Sequence, residues 1–123
     1  MRNKNFKRRC EKRKLEKCKG VCRTYDPIQY AYADVLEAND EIAEIRVNVP
    51  LDGLVIDGKE YVSDFVCVRT DGNLMVRECV FRKKLSLPRT CKLLDASRAY
   101  WARRGVTDWA IVIENEGVMY EEK

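Results

Sequence analysis

The chain has 123 residues, 46% hydrophobic and 36% charged, which suits one folded domain and argues against global disorder. No run approaches the ~18 apolar residues of a membrane span, and the charged first residues lack the apolar stretch of a secretory signal, so a cytoplasmic protein without membrane contact is expected. The absence of histidine removes the Ser-His-Asp and Cys-His nucleophile schemes and His-based zinc sites, leaving carboxylates, lysines, cysteines or a bound metal for any catalysis.

The net charge of +4 is unevenly spread: residues 1–25 hold eleven Lys/Arg against Glu11 and Glu16, a net of +9, which leaves −5 on the rest. Residues 1–24 thus read as a basic arm, either a nucleic-acid-binding tail or a solvated one. Its Lys, Arg, Glu and Leu content predicts a helix from Phe6 to Lys19 that orders fully only against a partner, because like charges repel. Cys10, Cys18 and Cys22 lie in this arm. Their spacing falls one ligand short of a zinc site, and a zinc or redox role for them stays open. Cys67, Cys79 and Cys91 read as buried reduced thiols in folded elements.

Residues 25–114 form the expected core. Asp26-Pro27 is a helix start, with Ile28, Ala31, Tyr32, Val35 and Leu36 at helical spacing and Asn39-Asp40 as its end. Ile45, Val47 and Val49 then alternate with polar residues as in a half-buried strand, which Pro50 interrupts and Leu51–Ile56 continues. Asp57-Gly58 predicts a two-residue hairpin turn into a strand from Tyr61 to Val68. Asp71-Gly72 predicts a second hairpin, into Leu74–Phe81. Pro88 opens a helix that runs to Arg104, with Leu93, Leu94, Ser97, Tyr100 and Trp101 inward and Gly105 behind it. Trp109–Ile113 is a continuous apolar run, a strand buried on both faces. Residues 115–123 form a tail with a strand near Val118–Tyr120. The predicted fold is α/β (α+β), a mixed central sheet in α-β-β-β-α-β order with a helix on each face.

Two acids stand out. Asp64 lies in the second strand of the meander and Glu78 in the third, and hairpin counting places position 64 opposite about position 79. Acids inside apolar strands are costly unless paired or metal-bound. Asp64, Glu78 and the carbonyl of Cys79 are therefore a candidate set for a hard divalent cation, Mg²⁺ or Mn²⁺. The alternative is that both acids face solvent, paired with Arg77, Arg69 or Arg82.

This order, with Asp in the second strand and Glu in the third, resembles the PD-(D/E)xK nuclease superfamily, and more narrowly the N-terminal catalytic domain of TnsA-type transposon endonucleases. The matching stretches are Glu44–Leu51, Tyr61-Val62-Ser63-Asp64-Phe65, Asp71-Gly72, Val76-Arg77-Glu78, and Tyr100-Trp101 through Ile113. The resemblance implies a restriction-endonuclease-like fold and metal-dependent DNA cleavage. It departs at two positions: the lysine of E-x-K is Val80, and the glutamate of the first helix corresponds to Gln29. The implied catalytic set is Asp64, Glu78 and Gln29, with Arg82 or Lys83, and more distantly Lys92, in place of the missing lysine. Valine neither orients an attacking water nor stabilises phosphate charge.

Nucleic-acid contacts are expected at Lys7, Arg8, Arg9, Lys12, Arg13 and Lys14 of the arm and at Arg82, Lys83, Lys84, Arg89 and Lys92 beyond the third strand, with Arg77 beside them, although solvated surface charge gives the same pattern. Two functions follow. One is a DNA-binding protein of a mobile element with possible endonuclease activity, weakened or lost. The other is an inactive nuclease-fold protein of a phage or mobile element that binds nucleic acid or a protein partner from a transposition or defence system.

Overall fold

The computed structural model describes residues 2–3, 10–115 and 118–122, with side chains described from 10 to 114. The strands are β1 (Arg2–Asn3), β2 (Glu11–Lys14), β3 (Val21–Thr24), β4 (Ile42–Ile56), β5 (Lys59–Arg69), β6 (Leu74–Cys79), β7 (Trp109–Asn115) and β8 (Val118–Glu122). The helices are α1 (Pro27–Glu37) and α2 (Pro88–Arg103), and a single 3₁₀ turn spans Arg82–Lys84.

Local chemistry explains most boundaries. Asp26 caps α1 by accepting from the Gln29 amide at 2.7 Å, and Pro27 occupies the first turn, where its missing N–H is no loss. Asp57 and Gly58 both take positive φ (53° and 77°), the mirror-image turn whose twist matches the flanking strands. The Asp71-Gly72 hairpin is longer than the two-residue turn expected. Arg69 N–H donates to Asn73 O at 2.8 Å, which leaves three residues in the loop, with Gly72 at φ 90°. This moves the β5–β6 register by one residue. Pro50 does not end its strand: β4 continues through it, with one of its two pairing irregularities between Pro50 and Val55.

The main sheet has six strands and mixed direction. The order is β1-β5-β6-β7-β8 with β4 also on β5, and β6–β7 is its parallel pair. A predicted apolar run becomes β7, where Ala110, Val112 and Ile113 are buried. Two apolar clusters divide the strands by alternation. Ile28, Tyr32, Ala33 and Leu36 of α1 pack on Phe65, Cys67, Met75 and Val112. Leu93, Leu94, Tyr100 and Trp101 of α2 pack on Val66, Val76, Val80 and Trp109, whereas Cys91, in the first turn of α2, is exposed rather than buried as Cys67 and Cys79 are. The chain is therefore a mixed α+β fold with two helices on a mixed sheet.

The region expected to be a helix from Phe6 to Lys19 differs. Its described part forms an antiparallel ribbon, β2 with β3, in the register Lys12↔Arg23 and Lys14↔Val21. Alternation turns Arg13 and Cys22 inward and leaves Lys12, Lys14 and Arg23 exposed. The ribbon is clasped to α1. Arg13 Nη1 donates to Asp34 Oδ1 at 2.6 Å and its guanidinium lies 3.9 Å from the Tyr30 ring centre. Glu37 accepts from the amides of Glu16 and Lys17 at 3.0 and 3.2 Å, and Lys17 Nζ donates to Asn39 O at 2.6 Å, beyond the negative end of the helix. These tertiary partners overcome the charge repulsion that suggested an unfolded arm.

Candidate functional site

Strands β5 and β6 pair as a regular ladder from Val68↔Leu74 to Phe65↔Arg77. Beyond that pair two side chains replace backbone carbonyls as acceptors. Asp64 N–H donates to Glu78 Oε1 at 2.8 Å, and Cys79 N–H donates to Asp64 Oδ2 at 2.8 Å. Each acid thus holds an amide of the other acid's strand. Both residues are fully buried, at 0% exposure. The two predicted acids are neighbours, and Cys79 meets Asp64 through its amide.

Their second oxygens turn to different helices. Asp64 Oδ1 accepts from Gln29 Nε2 of α1 at 3.1 Å. The same amide nitrogen donates to Asn48 Oδ1 at 2.8 Å, while Gln29 Oε1 accepts from Tyr25 N–H at 2.8 Å. Asn48 sits in β4 with φ 53°, a left-handed conformation that asparagine tolerates better than most residues, and its Nδ2 donates to Arg23 O at 2.8 Å. One amide chain therefore links the ribbon, β4, α1 and Asp64.

Glu78 faces α2. Its Oε2 accepts from Ser97 Oγ at 2.6 Å, Ser63 Oγ at 2.7 Å and Tyr61 Oη at 3.0 Å. Trp101 Nε1 donates to Ser63 Oγ at 3.3 Å and Trp109 Nε1 to Ser97 Oγ at 3.0 Å, so two indoles close the outer side of the network. Burial and the adjacent Glu78 carboxylate push the Tyr61 phenol well above its ordinary range, which keeps it a proton donor.

Among the described residues, these donors hold both acids in a shared hydrogen-bond network. A cation shared by Asp64 and Glu78 would have to displace hydroxyls from Oε2 or an amide from Asp64, and Gln29 directs its Nε2–H₂ at Asp64 where a nuclease-like site would offer a carboxylate. Among the described residues, no group of three or more Cys, Asp or Glu is placed to hold a metal ion.

The predicted cations are scattered. Lys7, Arg8 and Arg9 lie outside the described residues. Lys12 and Lys14 are exposed on the ribbon, whereas Arg13 is half-buried against α1. Arg82, Lys83 and Lys84 are exposed on the 3₁₀ turn, and the Arg82 amide donates to Glu114 Oε1 at 2.6 Å. Val80, between Glu78 and that turn, is buried against α2. Arg89 and Lys92 both pair with Asp57 at the β4–β5 turn, the lysine at 3.4 Å, and together they hold the Asp57 carboxyl below its usual range. Arg77 is only 3% exposed and pairs with Asp108 at 2.9 Å, so it does not belong to the surface cluster.

Sequence reasoning missed Asn48, Tyr61 and Ser63 and gave Ser97 only an inward position. The available signal was polarity: Tyr61, Ser63 and Asp64 crowd one strand beside apolar residues, and hydroxyls near a buried acid are its natural donors. Neither a protein-family model nor a curated protein sequence matches the chain.

Proposed function

We propose that this chain is a DNA-binding protein with a nuclease-like core, in which the carboxylate pair braces the fold and a cationic β-ribbon meets the phosphate backbone. The observation that carries this reading is the outward face of the β2–β3 ribbon: Lys12, Lys14 and Arg23 are exposed together, with Lys19 exposed in the connecting loop. Lys12 and Lys14 are two residues apart, roughly 7 Å along one face of a strand. A two-stranded ribbon fits the major groove of B-DNA, and lysine and arginine side chains on it neutralise phosphates. The α-β-β-β-α-β order from α1 to β7, with its Asp64 and Glu78, supports descent from the PD-(D/E)xK superfamily.

A second reading, a Mg²⁺- or Mn²⁺-dependent DNA endonuclease, is favoured by the meeting of Gln29, Asp64, Glu78 and Cys79 at one fork. The replacement of the lysine by buried Val80 and the hydroxyl cover over Glu78 favour the non-catalytic reading over it.

Fluorescence anisotropy with a short DNA duplex tests the first reading. Lys12→Ala, Lys14→Ala and Arg23→Ala combined are expected to weaken binding at least tenfold and to reduce the salt slope by about one per cation removed. An unchanged affinity and slope would reject the ribbon. In a Mg²⁺-dependent nicking assay on supercoiled plasmid, wild type and Asp64→Asn are expected to match. Cleavage seen in wild type and lost in Asp64→Asn and Glu78→Gln proteins that remain folded would establish the second reading instead.

A further inference from the structure

Two of the six cysteines share one small neighbourhood at the base of the ribbon. Cys18 lies in the loop joining β2 to β3, where its amide donates to Leu15 O at 3.1 Å and its backbone bridges to Ile45 of β4. The adjacent Ile45 N–H to Lys17 O bond, 2.8 Å, pins the same point. Cys22 lies four residues on, on the inward side of β3 opposite Arg13, with 0% exposure. Cys22 belongs to the α1 cluster and Cys18 packs against it, with the two thiols close enough to perturb each other's proton affinity. Neither is in a disulfide. Cys18 is the partly exposed member and lines a cleft of about 430 Å³ with Lys19, Glu44, Arg46 and Val47.

We propose that Cys18 and Cys22 are a redox-active dithiol, oxidised by a small-molecule disulfide to an intramolecular Cys18–Cys22 disulfide in the folded protein. Cys18 meets the oxidant because the cleft opens on it. Cys18 first gives up its proton; its thiolate attacks one sulfur of the small disulfide, the S–S bond breaks, and the departing small thiolate takes up a proton. The Cys22 sulfur then attacks the Cys18 sulfur of this mixed disulfide, and the second small thiol leaves with the Cys22 proton. Two protein thiols are oxidised and one small disulfide is reduced to two thiols. The neighbouring Cys22 thiol and burial raise the proton affinity of Cys18, so exchange starts from its small thiolate fraction and quickens as pH rises. Cys67, buried in β5 near Cys18, is the competing partner.

The test uses the native full-length protein and oxidised glutathione, followed by thiol alkylation and peptide mapping. The expected product loses two of its six alkylatable thiols. Trypsin cleaves after Lys19, between the cysteines, so the product appears as two peptides joined until reductant separates them. Cys91→Ser is expected to leave this pattern intact, and Cys22→Ser to trap glutathione on Cys18. A glutathione adduct that persists on Cys18 of the wild-type chain would overturn the proposal. So would a Cys18–Cys67 link, or thiol loss that occurs only after urea is added.

Discussion

Glu78 shows how a buried carboxylate is made tolerable. Among the described residues its oxygens accept from one amide and three hydroxyls, donors that stabilise the buried carboxylate. Replacing one of its oxygens by an amide NH₂ leaves part of that donor set facing a donor in a dry interior. Glu78→Gln is therefore expected to destabilise the fold by about 3 kcal/mol, and Ser97→Ala by about 2 kcal/mol, because Trp109 loses its acceptor as well. Urea unfolding midpoints check both. Tyr61 adds a pH dependence. Its folded-state proton affinity is raised, so the unfolded chain releases the proton first. Its contribution is full below about pH 10, the ordinary tyrosine value, and is lost as pH rises beyond it. Tyr61→Phe is expected to be less stable at neutral pH yet to lose less stability between neutral and strongly alkaline pH, as measured by parallel denaturant titrations.

Elements divide into those that declare themselves locally and those built by distant partners. Both helix starts and the Asp57-Gly58 turn were legible because a cap, a proline or a positive φ depends on adjacent residues. The same counting brought Asp64 beside Glu78, one residue out of register because the second loop holds three residues. The ribbon was not legible. Its helix-forming composition outweighed the alternation that places Arg13 between Lys12 and Lys14 and Cys22 between Val21 and Arg23, and its stability comes from Asp34 and Glu37, twenty-one residues away along the chain. The covering hydroxyls were equally hidden, since Ser97 reaches Glu78 only once α2 has docked. Glu37→Gln tests the clasp. It weakens the acceptor for two amides and is expected to make the ribbon more sensitive to trypsin, at a global cost of about 1 kcal/mol. Asn48→Ala is expected to cost about 2 kcal/mol through its backbone conformation and its lost bonds, and Asn48→Gly less. Thermal or urea unfolding separates the two.

The whole molecule is electrically lopsided, with a surplus of +9 in residues 1–25 opposing −5 in the remainder. Residues 10–25, which hold the ribbon, carry six Lys/Arg against two acids, a net of +4 that draws a polyanion toward the ribbon. If Lys12, Lys14 and Arg23 each displace a counterion, affinity for duplex DNA is expected to fall about 40-fold between 50 and 200 mM salt. Isothermal titration at several salt concentrations measures that slope.

The exchange of carboxylates for carbonyls at the β5–β6 fork leaves two main-chain protons, those of Asp64 and Cys79, in the keeping of side chains. Deuterium uptake at these positions therefore reports on individual residues. Weakening the acceptor at position 78 speeds labelling at 64, whereas the same change at position 64 speeds labelling at 79. The crossed pattern separates local opening of the fork from unravelling of the sheet.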